Sequence, residues 1–128
     1  MNALVVDTSS WVSYLAGVPG DTIELALKEA RVWLSPLVVS ELLSAKLSLG
    51  DRRALQSMLV ELPLCSCPFE HWVKVGELRA LCSKKGFKVS TPDAHVAQCA
   101  IDLNAYLSSE DKIFTKIAGI APLRLATR

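Results

Sequence analysis

The chain has 128 residues, enough for one domain built around one sizeable hydrophobic core. Hydrophobic residues make up 51% of it, and the mean hydropathy of +0.32 indicates an apolar surface reserved for a partner or for self-association. The formal net charge of +1 lacks the basic excess of strong nucleic-acid binders, so it permits RNA binding without predicting it.

No apolar run approaches the roughly 18 residues that a membrane-spanning helix requires. The short apolar run at the N-terminus has no basic region before it and is broken by Asp7, so we expect no signal peptide. The four cysteines match no common zinc spacing; they are Cys65, Cys67, Cys82 and Cys99. We therefore expect reduced, buried thiols in a cytoplasmic protein without a membrane segment.

The first predicted element is a strand over Ala3–Val6, whose apolar residues do not alternate with polar ones. Such a run is typical of a parallel strand that is covered by helices on both faces. It ends at Asp7, followed by Thr8 and two serines. Since ligands of open α/β sheets bind outside the carboxyl ends of the strands, Asp7 lies where such a fold places its chemistry.

Alternating signals continue through the first half of the chain. They predict a helix capped by Ser9 or Ser10, a helix over 23–30, a strand over 32–34, a helix from Pro36 to about Leu49, and a helix over 52–62. Ser35–Pro36 is a strong helix start because a capping hydroxyl precedes a proline at the first helical position. We expect Gly50 to end that helix, and Asp21 and Asp51 to act as helix caps.

The second half continues the same alternation. It predicts a brief strand over 64–67, a long helix that opens at Pro68, a helix over 93–103, a strand over 105–107, a short helix over 112–118 and a last strand over 123–126. On the long helix, the predicted core stripe is Phe69, Trp72, Val73, Gly76 and Ala80, and His71 is expected to be exposed. Thr91–Pro92 repeats the start signal seen at Ser35–Pro36.

This order predicts a single domain over residues 1–128 with an α/β fold, a three-layer α/β/α sandwich around a central, mainly parallel sheet. Asp7 and Asp111 each follow a predicted strand, so parallel strands would deliver both acids to the same edge of the sheet. Asp93 lies in the first turn of a helix, where the macrodipole favours an acid, and Asp111 could equally be a turn residue. Glu41 lies on a half-apolar helix face, where an unpaired carboxylate is costly.

Carboxylates that converge on one pocket repel each other, and such a site either raises some pKa values or recruits a cation. An all-oxygen pocket suits Mg²⁺ or Mn²⁺ better than zinc. The chemistry indicated is metal-assisted hydrolysis of a phosphodiester bond, with Asp7, Glu41, Asp93 and Asp111 as metal ligands and catalytic carboxylates. The hydroxyls of Thr8, Ser9 and Ser108 are predicted to support these ligands.

Four segments, in this order and spacing, give the chain a specific resemblance: Val5-Val6-Asp7-Thr8-Ser9, Ser40-Glu41-Leu42-Leu43, Thr91-Pro92-Asp93-Ala94 and residues 107–114. The chain resembles a PIN-domain ribonuclease of the VapC toxin type over essentially its full length. The resemblance implies endonucleolytic cleavage of RNA, Mg²⁺ or Mn²⁺, a homodimer, and neutralisation by a cognate antitoxin protein.

The resemblance matches the family's first three acids to Asp7, Glu41 and Asp93, and its fourth acid to Asp111. Many relatives carry a further aspartate at the position of Ile113, and Glu110 next to Asp111 leaves the register open by one residue. The number of metals, one or two, is therefore left open.

Other polar residues are assigned away from this site. His95 and Asp102 lie about 200° and 180° around the helix from Asp93, so both point elsewhere, and His95 is expected to be a structural or surface histidine. The basic cluster of Arg79, Lys84, Lys85 and Lys88 is either a solvated helix end or a binding site for RNA phosphates.

Two other kinds of protein also place an acid after a buried strand, haloacid-type phosphatases and receiver switches. The phosphatase needs a second Asp where this chain has Ser9, and the receiver needs an acidic pair after the first strand, which this chain lacks. The alternative that stays open is a non-catalytic PIN-like module that only binds RNA or protein.

Overall fold

A computed structural model describes residues 2–127 of the chain. The strands and helices follow the predicted order, except that the third to the sixth helix follow one another without a strand between them. Their order is β1 (Leu4–Val6), α1 (Thr8–Leu15), α2 (Asp21–Lys28), β2 (Val32–Trp33), α3 (Pro36–Leu43), α4 (Leu49–Leu59), α5 (Phe69–Lys84), α6 (Thr91–Asp102), β3 (Tyr106–Ser108), α7 (Ile113–Ala118) and β4 (Arg124–Leu125).

The strands form one sheet in the order β2-β1-β3-β4, and every pair in it is parallel. The predicted α/β fold with a parallel sheet is therefore confirmed. Strand β1 is buried along its whole length, as its unbroken apolar run predicted. In the pairing of β1 with β3, Val6 lies opposite Ser108, so the chain leaves both strands at the same edge of the sheet.

The start of α3 was predicted correctly, and its end was not. Ser35 caps α3 by accepting hydrogen bonds from the backbone N–H groups of Leu37 and Val38, at 3.2 and 3.4 Å. The helix ends at Leu43 rather than near Leu49, and Gly50 lies inside the first turn of α4 instead of ending a helix.

Several predicted caps and boundaries are also corrected. Asp7, not Ser9 or Ser10, is the N-cap residue of α1, while Gly20 and Ser48 precede α2 and α4. Asp21 and Asp51 therefore lie within the first helical turn, where the macrodipole favours a negative charge, rather than at the cap. The strand expected over 64–67 is reduced to a single parallel bridge between Leu34 and Leu64.

The core face of α5 was predicted on the wrong side. The buried residues of this helix are His71, Val75, Leu78 and Cys82, whereas Phe69 and Trp72 are 84% and 43% exposed. His71 is 2% exposed, so its predicted exposure was wrong. Apolar residues occur on both sides of α5, so its period does not select a face, and the side that packs against the buried segment Ala94–Ala100 of α6 is the one that becomes core.

No helix among residues 2–127 is both long and apolar enough to cross a lipid bilayer.

Candidate active site

Asp7 stands at the carboxyl edge of the sheet, directly after β1, and is 8% exposed. Its backbone N–H donates to the carbonyl oxygen of Ser108 at 2.9 Å, which extends the pairing of β1 with β3 by one step. Ser109 follows β3 at the same edge. Residues about 100 positions apart in the chain therefore meet here because two parallel strands end together.

Two hydroxyls hold the Asp7 carboxylate in place. Ser9 and Ser109 both donate to its Oδ2 atom, at 3.1 and 2.9 Å, and their own oxygens lie 3.2 Å apart. Hydrogen bonds to an ionised carboxylate are stronger than neutral ones. The orientation of Asp7 is thus fixed by one residue of α1 and one residue of the loop after β3.

Glu41 reaches the same edge from α3. Thr8, the first residue of α1, donates from Oγ1 to Glu41 Oε1 at 2.7 Å. Glu41 is exposed, so the burial cost that the sequence suggested for its carboxylate does not arise. Because Thr8 directly follows Asp7, this contact brings Glu41 close to Asp7, although the two acids are 34 positions apart in the sequence.

Asp93 lies in the first turn of α6, whose N-cap Ser90 accepts a hydrogen bond from the Asp93 backbone N–H at 3.2 Å. Partial burial has the largest effect and raises the pKa of the Asp93 carboxyl, while the hydrogen bond with Ser90 lowers it by less than burial raises it. The negative charges of Asp111, Asp7 and Glu41 each raise this pKa by a smaller amount. Asp93 is thus electrostatically coupled to the three other predicted acids.

Asp111 and Glu110 occupy different positions in the loop after β3. The Asp111 carboxylate accepts from the Ile113 backbone N–H at 3.0 Å, and its own N–H donates to Ser109 Oγ at 3.0 Å. Glu110 accepts a hydrogen bond from the hydroxyl of Ser13 on α1. Of these two acids, Asp111 is the one whose charge raises the pKa of Asp93.

We call Asp7, Glu41, Asp93 and Asp111 the carboxylate cluster. Within residues 2–127, no ion pair with lysine, arginine or histidine involves any of these four side chains. The cluster is also open. Among the described residues, no three of its carboxylates have oxygen atoms that all lie within 4.8 Å of one another. Uncompensated negative charge at a partly solvated edge is an arrangement that attracts a cation.

A model of the family described as PIN domain matches residues 4–120. The chain belongs to the PIN domain family.

Solved structures share the fold of this PIN domain over nearly its whole length. A chain of the DNA-bound VapBC complex from Salmonella typhimurium matches with a TM-score of 0.81 and 20% identity, covering 98% of both chains. VapBC2 from Rickettsia felis, bound to a promoter DNA fragment, matches with a TM-score of 0.78 and 22% identity over 97% of both chains. VapBC-5 from Mycobacterium tuberculosis matches with a TM-score of 0.74 and 18% identity over 100% of both chains. No curated protein matches the chain.

The hydroxyls predicted to support the acids of the PIN domain fall into two groups. Thr8 and Ser9 contact Glu41 and Asp7 respectively. Ser108 instead donates to Ser10 Oγ at 3.1 Å in a buried position. Its neighbour Ser109, which sequence reasoning missed, contacts Asp7, and the alternation of side chains along a strand explains why adjacent serines point to different sides.

The basic residues lie at the end of α5 and beyond it. Arg79 donates from Nε to the carbonyl oxygen of Val89 at 2.9 Å, while Lys84, Lys85 and Lys88 are exposed. Arg79 thereby ties α5 to the segment that precedes α6. A role of this basic cluster in holding RNA phosphates stays a prediction.

A second polar cluster lies in the PIN domain away from the carboxylates. The described residues contain one group of three or more potential ligands within 4.8 Å of one another, Cys67, His71, His95 and Cys99, which we call the Cys/His cluster. His95 is 1% exposed and faces away from Asp93, as the helical angle predicted. Burial, with a smaller contribution from the charge of His71, lowers the pKa of His95 to about 4.

Sequence reasoning missed this cluster because it looked for Cys-x-x-Cys. The signal that could have found it is the spacing of His95 and Cys99, since residues four apart share one face of a helix, together with a second Cys and His four residues apart at the start of the long helix, Cys67 and His71.

Proposed function

We propose that this PIN domain is a Mg²⁺- or Mn²⁺-dependent endoribonuclease and the toxin of a type II toxin–antitoxin pair. The observation that carries the proposal is the carboxylate cluster, four acids from four separate segments that are electrostatically coupled without a paired lysine or arginine in the described chain. Like charges that raise one another's pKa favour a bound cation among them.

The donor set of the cluster fits a hard divalent cation. All its atoms are carboxylate oxygens, the ligands that Mg²⁺ and Mn²⁺ prefer. Asp7, Glu41, Asp93 and Asp111 would hold the ion. When bound, it would supply charge neutralisation and a water of lowered pKa for attack on a phosphodiester bond.

The chain's own residues prepare this edge for the reaction. Ser9 and Ser109 orient the Asp7 carboxylate, and Thr8 orients Glu41, so two of the acids are held before any ligand arrives. Partial burial raises the pKa of the Asp93 carboxyl, so a cation that neutralises the cluster also favours its ionised form. These contacts support a preorganised site for hydrolysis of RNA.

Two observations support the proposed partners, an antitoxin and a second copy of the chain. The similar solved structures are VapBC complexes, which supports a cognate antitoxin as a partner. Exposed apolar side chains of α1, α2 and the segment between them, Val12, Leu15, Val18 and Leu25, support burial against another protein or a second copy in a homodimer. The four free cysteines are consistent with a cytoplasmic setting.

Cleavage of a mixed RNA pool by the isolated protein, with and without Mg²⁺, tests the catalytic proposal. We expect metal-dependent cleavage, and we expect Asp7→Asn to lower it at least about 100-fold, since one ligand and one charge are lost. Asp21→Asn removes an exposed acid from the first turn of α2 and serves as the matched control with unchanged activity.

The alternative function, a non-catalytic PIN-like binding module, makes the opposite prediction. A folded, antitoxin-free protein that binds RNA and cleaves none of it at any Mg²⁺ or Mn²⁺ concentration would contradict the nuclease proposal. A short DNA-binding protein encoded in the adjoining reading frame, and its co-purification with this chain, would test the toxin assignment separately.

A further inference from the structure

The Cys/His cluster is built from two helices and the segment that precedes one of them. His71 lies in the first turn of α5, and Cys67 lies just before that helix. His95 and Cys99 lie on one buried face of α6, four residues apart. Because α5 packs along α6, the two pairs face each other, and one potential ligand atom from each residue lies within 4.8 Å of the others.

The outer nitrogens of both imidazoles are already hydrogen-bonded. His71 Nδ1 contacts Asp102 Oδ2 at 2.9 Å, and Asp102 is held by Gln98, whose Nε2 donates to its Oδ1 at 2.8 Å. His95 Nε2 contacts the Ser35 hydroxyl at 2.7 Å. Histidines that bind metals are usually fixed in this way, with the nitrogen opposite the metal bonded to a carboxylate or another polar group.

The inner nitrogens point into the cluster and have only each other and the thiols as polar neighbours in the described hydrogen bonds. His71 Nε2 and His95 Nδ1 lie 2.8 Å apart, and Cys99 Sγ lies 3.9 and 3.7 Å from the two nitrogens of His95. Neighbouring ligands of a tetrahedral zinc ion are roughly 3.3–3.8 Å apart, given its bond lengths to sulfur and nitrogen. The two imidazole nitrogens are closer together than this, so binding of one ion between them requires the rings to move apart by roughly 0.5 Å.

The donor atoms of the Cys/His cluster differ in kind from those of the carboxylate cluster. Two thiolates and two neutral imidazoles select a soft or borderline cation such as Zn²⁺ and disfavour Mg²⁺. A groove of about 720 Å³ runs beside the cluster, with His71, Gln98 and Asp102 in its wall together with Ser66 and Pro68 on either side of Cys67. Of the four ligands, His71 alone borders this groove and it is 2% exposed, so entry of an ion requires side chains at the start of α5 to move aside.

We propose that Cys67, His71, His95 and Cys99 bind one zinc ion, which joins the α5 segment to α6 on the side opposite the carboxylate cluster. Binding replaces the His71–His95 hydrogen bond with two metal–nitrogen bonds. The proton of that hydrogen bond, carried by His95 Nδ1 while His71 Nδ1 donates to Asp102, is exchanged through solvent to His95 Nε2, the nitrogen that contacts the Ser35 hydroxyl. The two thiols each release a proton to solvent as the metal–sulfur bonds form, and no electron transfer is involved. The site is independent of the proposed ribonuclease activity, since it shares no ligand with the carboxylate cluster.

Titration of the reduced, metal-free full-length protein with Co²⁺, a spectroscopic substitute for zinc, tests the site directly. We expect one equivalent to bind with the intense visible bands of a tetrahedral ion and with thiolate-to-cobalt charge transfer in the near ultraviolet. One equivalent of Zn²⁺ should then displace the cobalt. Asp7→Asn should leave these spectra unchanged, because it alters only the carboxylate cluster.

The variants separate this site from other thiols. The double substitution Cys67→Ser/Cys99→Ser should weaken zinc binding at least 100-fold in competition with a chromophoric chelator. Cys82→Ser is the matched control, because Cys82 is a buried cysteine of α5 outside the cluster, and it should bind zinc like the unaltered protein. An octahedral cobalt spectrum without charge transfer, or binding lost in Asp7→Asn and kept in the cysteine variant, would overturn the proposal.

A measurement on the unaltered protein covers the case in which the double variant fails to fold. One equivalent of Zn²⁺ should slow alkylation of Cys67 and Cys99 at least tenfold while leaving the rate at Cys82 unchanged, with the modified residues identified by mass spectrometry. Equal rates with and without zinc would mean that the thiols and histidines are only a hydrogen-bonded part of the core, and the proposed site would be wrong.

Discussion

The two polar clusters of this PIN domain share helix α6 and differ in almost every physical property. Asp93 and His95 are two residues apart, yet one belongs to an open group of acids at the sheet edge and the other to a buried group of thiols and imidazoles. The carboxylate cluster leaves its charges without an ion pair in the described chain, whereas each buried histidine has hydrogen bonds at both ring nitrogens.

The pKa shifts of the two clusters have a common cause. Burial disfavours the charged form, so it raises the pKa of the Asp93 carboxyl and lowers that of the His95 imidazole. The consequences for folding differ. A charged Asp93 costs stability above its folded pKa, whereas His95 costs stability only when the pH falls below 6.5 and the unfolded chain takes up a proton that the folded chain does not. Helix α6 therefore carries an acid of the carboxylate cluster on one side and a buried histidine of the Cys/His cluster on the other.

The largest expected effect on folding is the pH dependence that His95 causes. Its pKa is about 4 in the folded chain and 6.5 in the unfolded chain, so between these values the unfolded state binds a proton that the folded state does not. The free energy of unfolding in metal-free buffer should therefore fall as the pH is lowered from 6.5 to 4, by up to about 3 kcal/mol. Urea unfolding at a series of pH values measures this loss.

The control for that pH series is His95→Gln, which keeps a hydrogen-bonding side chain and removes the titration. Its stability should be lower at pH 7 and should change less with pH over the same window. An identical pH dependence in the variant would mean that another group causes the loss.

A smaller effect distinguishes the two serines at the end of β3. Ser109→Ala removes the hydroxyl that donates to Asp7 and accepts from the Asp111 backbone N–H, so we expect RNA cleavage to fall by about tenfold. Ser108→Ala removes only a contact with Ser10 and should keep nearly full activity. Cleavage rates at saturating Mg²⁺ compare them, and equal losses would contradict the assignment of Ser109 as the positioning residue.

The smallest expected effect is a gain in stability. Asp93→Asn removes one charge from the repelling group and loses a favourable interaction with the helix dipole, so the free energy of unfolding at pH 7 in metal-free buffer should rise by no more than about 1 kcal/mol. Because the folded pKa of Asp93 is raised, the gain should shrink as the pH falls through that pKa and should vanish below 3.8, where the carboxyl becomes protonated in both states.

Thermal unfolding of Asp93→Asn beside Asp21→Asn, another first-turn acid, measures this difference. Only the Asp93 variant should gain stability, and the gain should disappear when Mg²⁺ is added. A loss of several degrees in metal-free buffer would show that Asp93 stabilises the fold.

The sequence marks three of the four proposed site acids by a strong local signal, and their role as site residues stays a prediction. Asp7 ends an unbroken apolar strand, and Ser–Pro and Thr–Pro starts precede Glu41 and Asp93 on their helices. The face of α5 could not be predicted in this way. Apolar residues surround that helix, so only the shape of α6 decides that His71 is buried and that Phe69 and Trp72 are exposed.

By itself, the sequence determined the parallel α/β fold and most of the order of its strands and helices, because these depend on the local period and on residues at element ends. The tertiary structure decided which serine contacts Asp7, that Glu41 is exposed, and that Cys67, His71, His95 and Cys99 meet. Those outcomes depend on strand register and on the packing of two helices, which bring together residues that local sequence patterns leave unrelated.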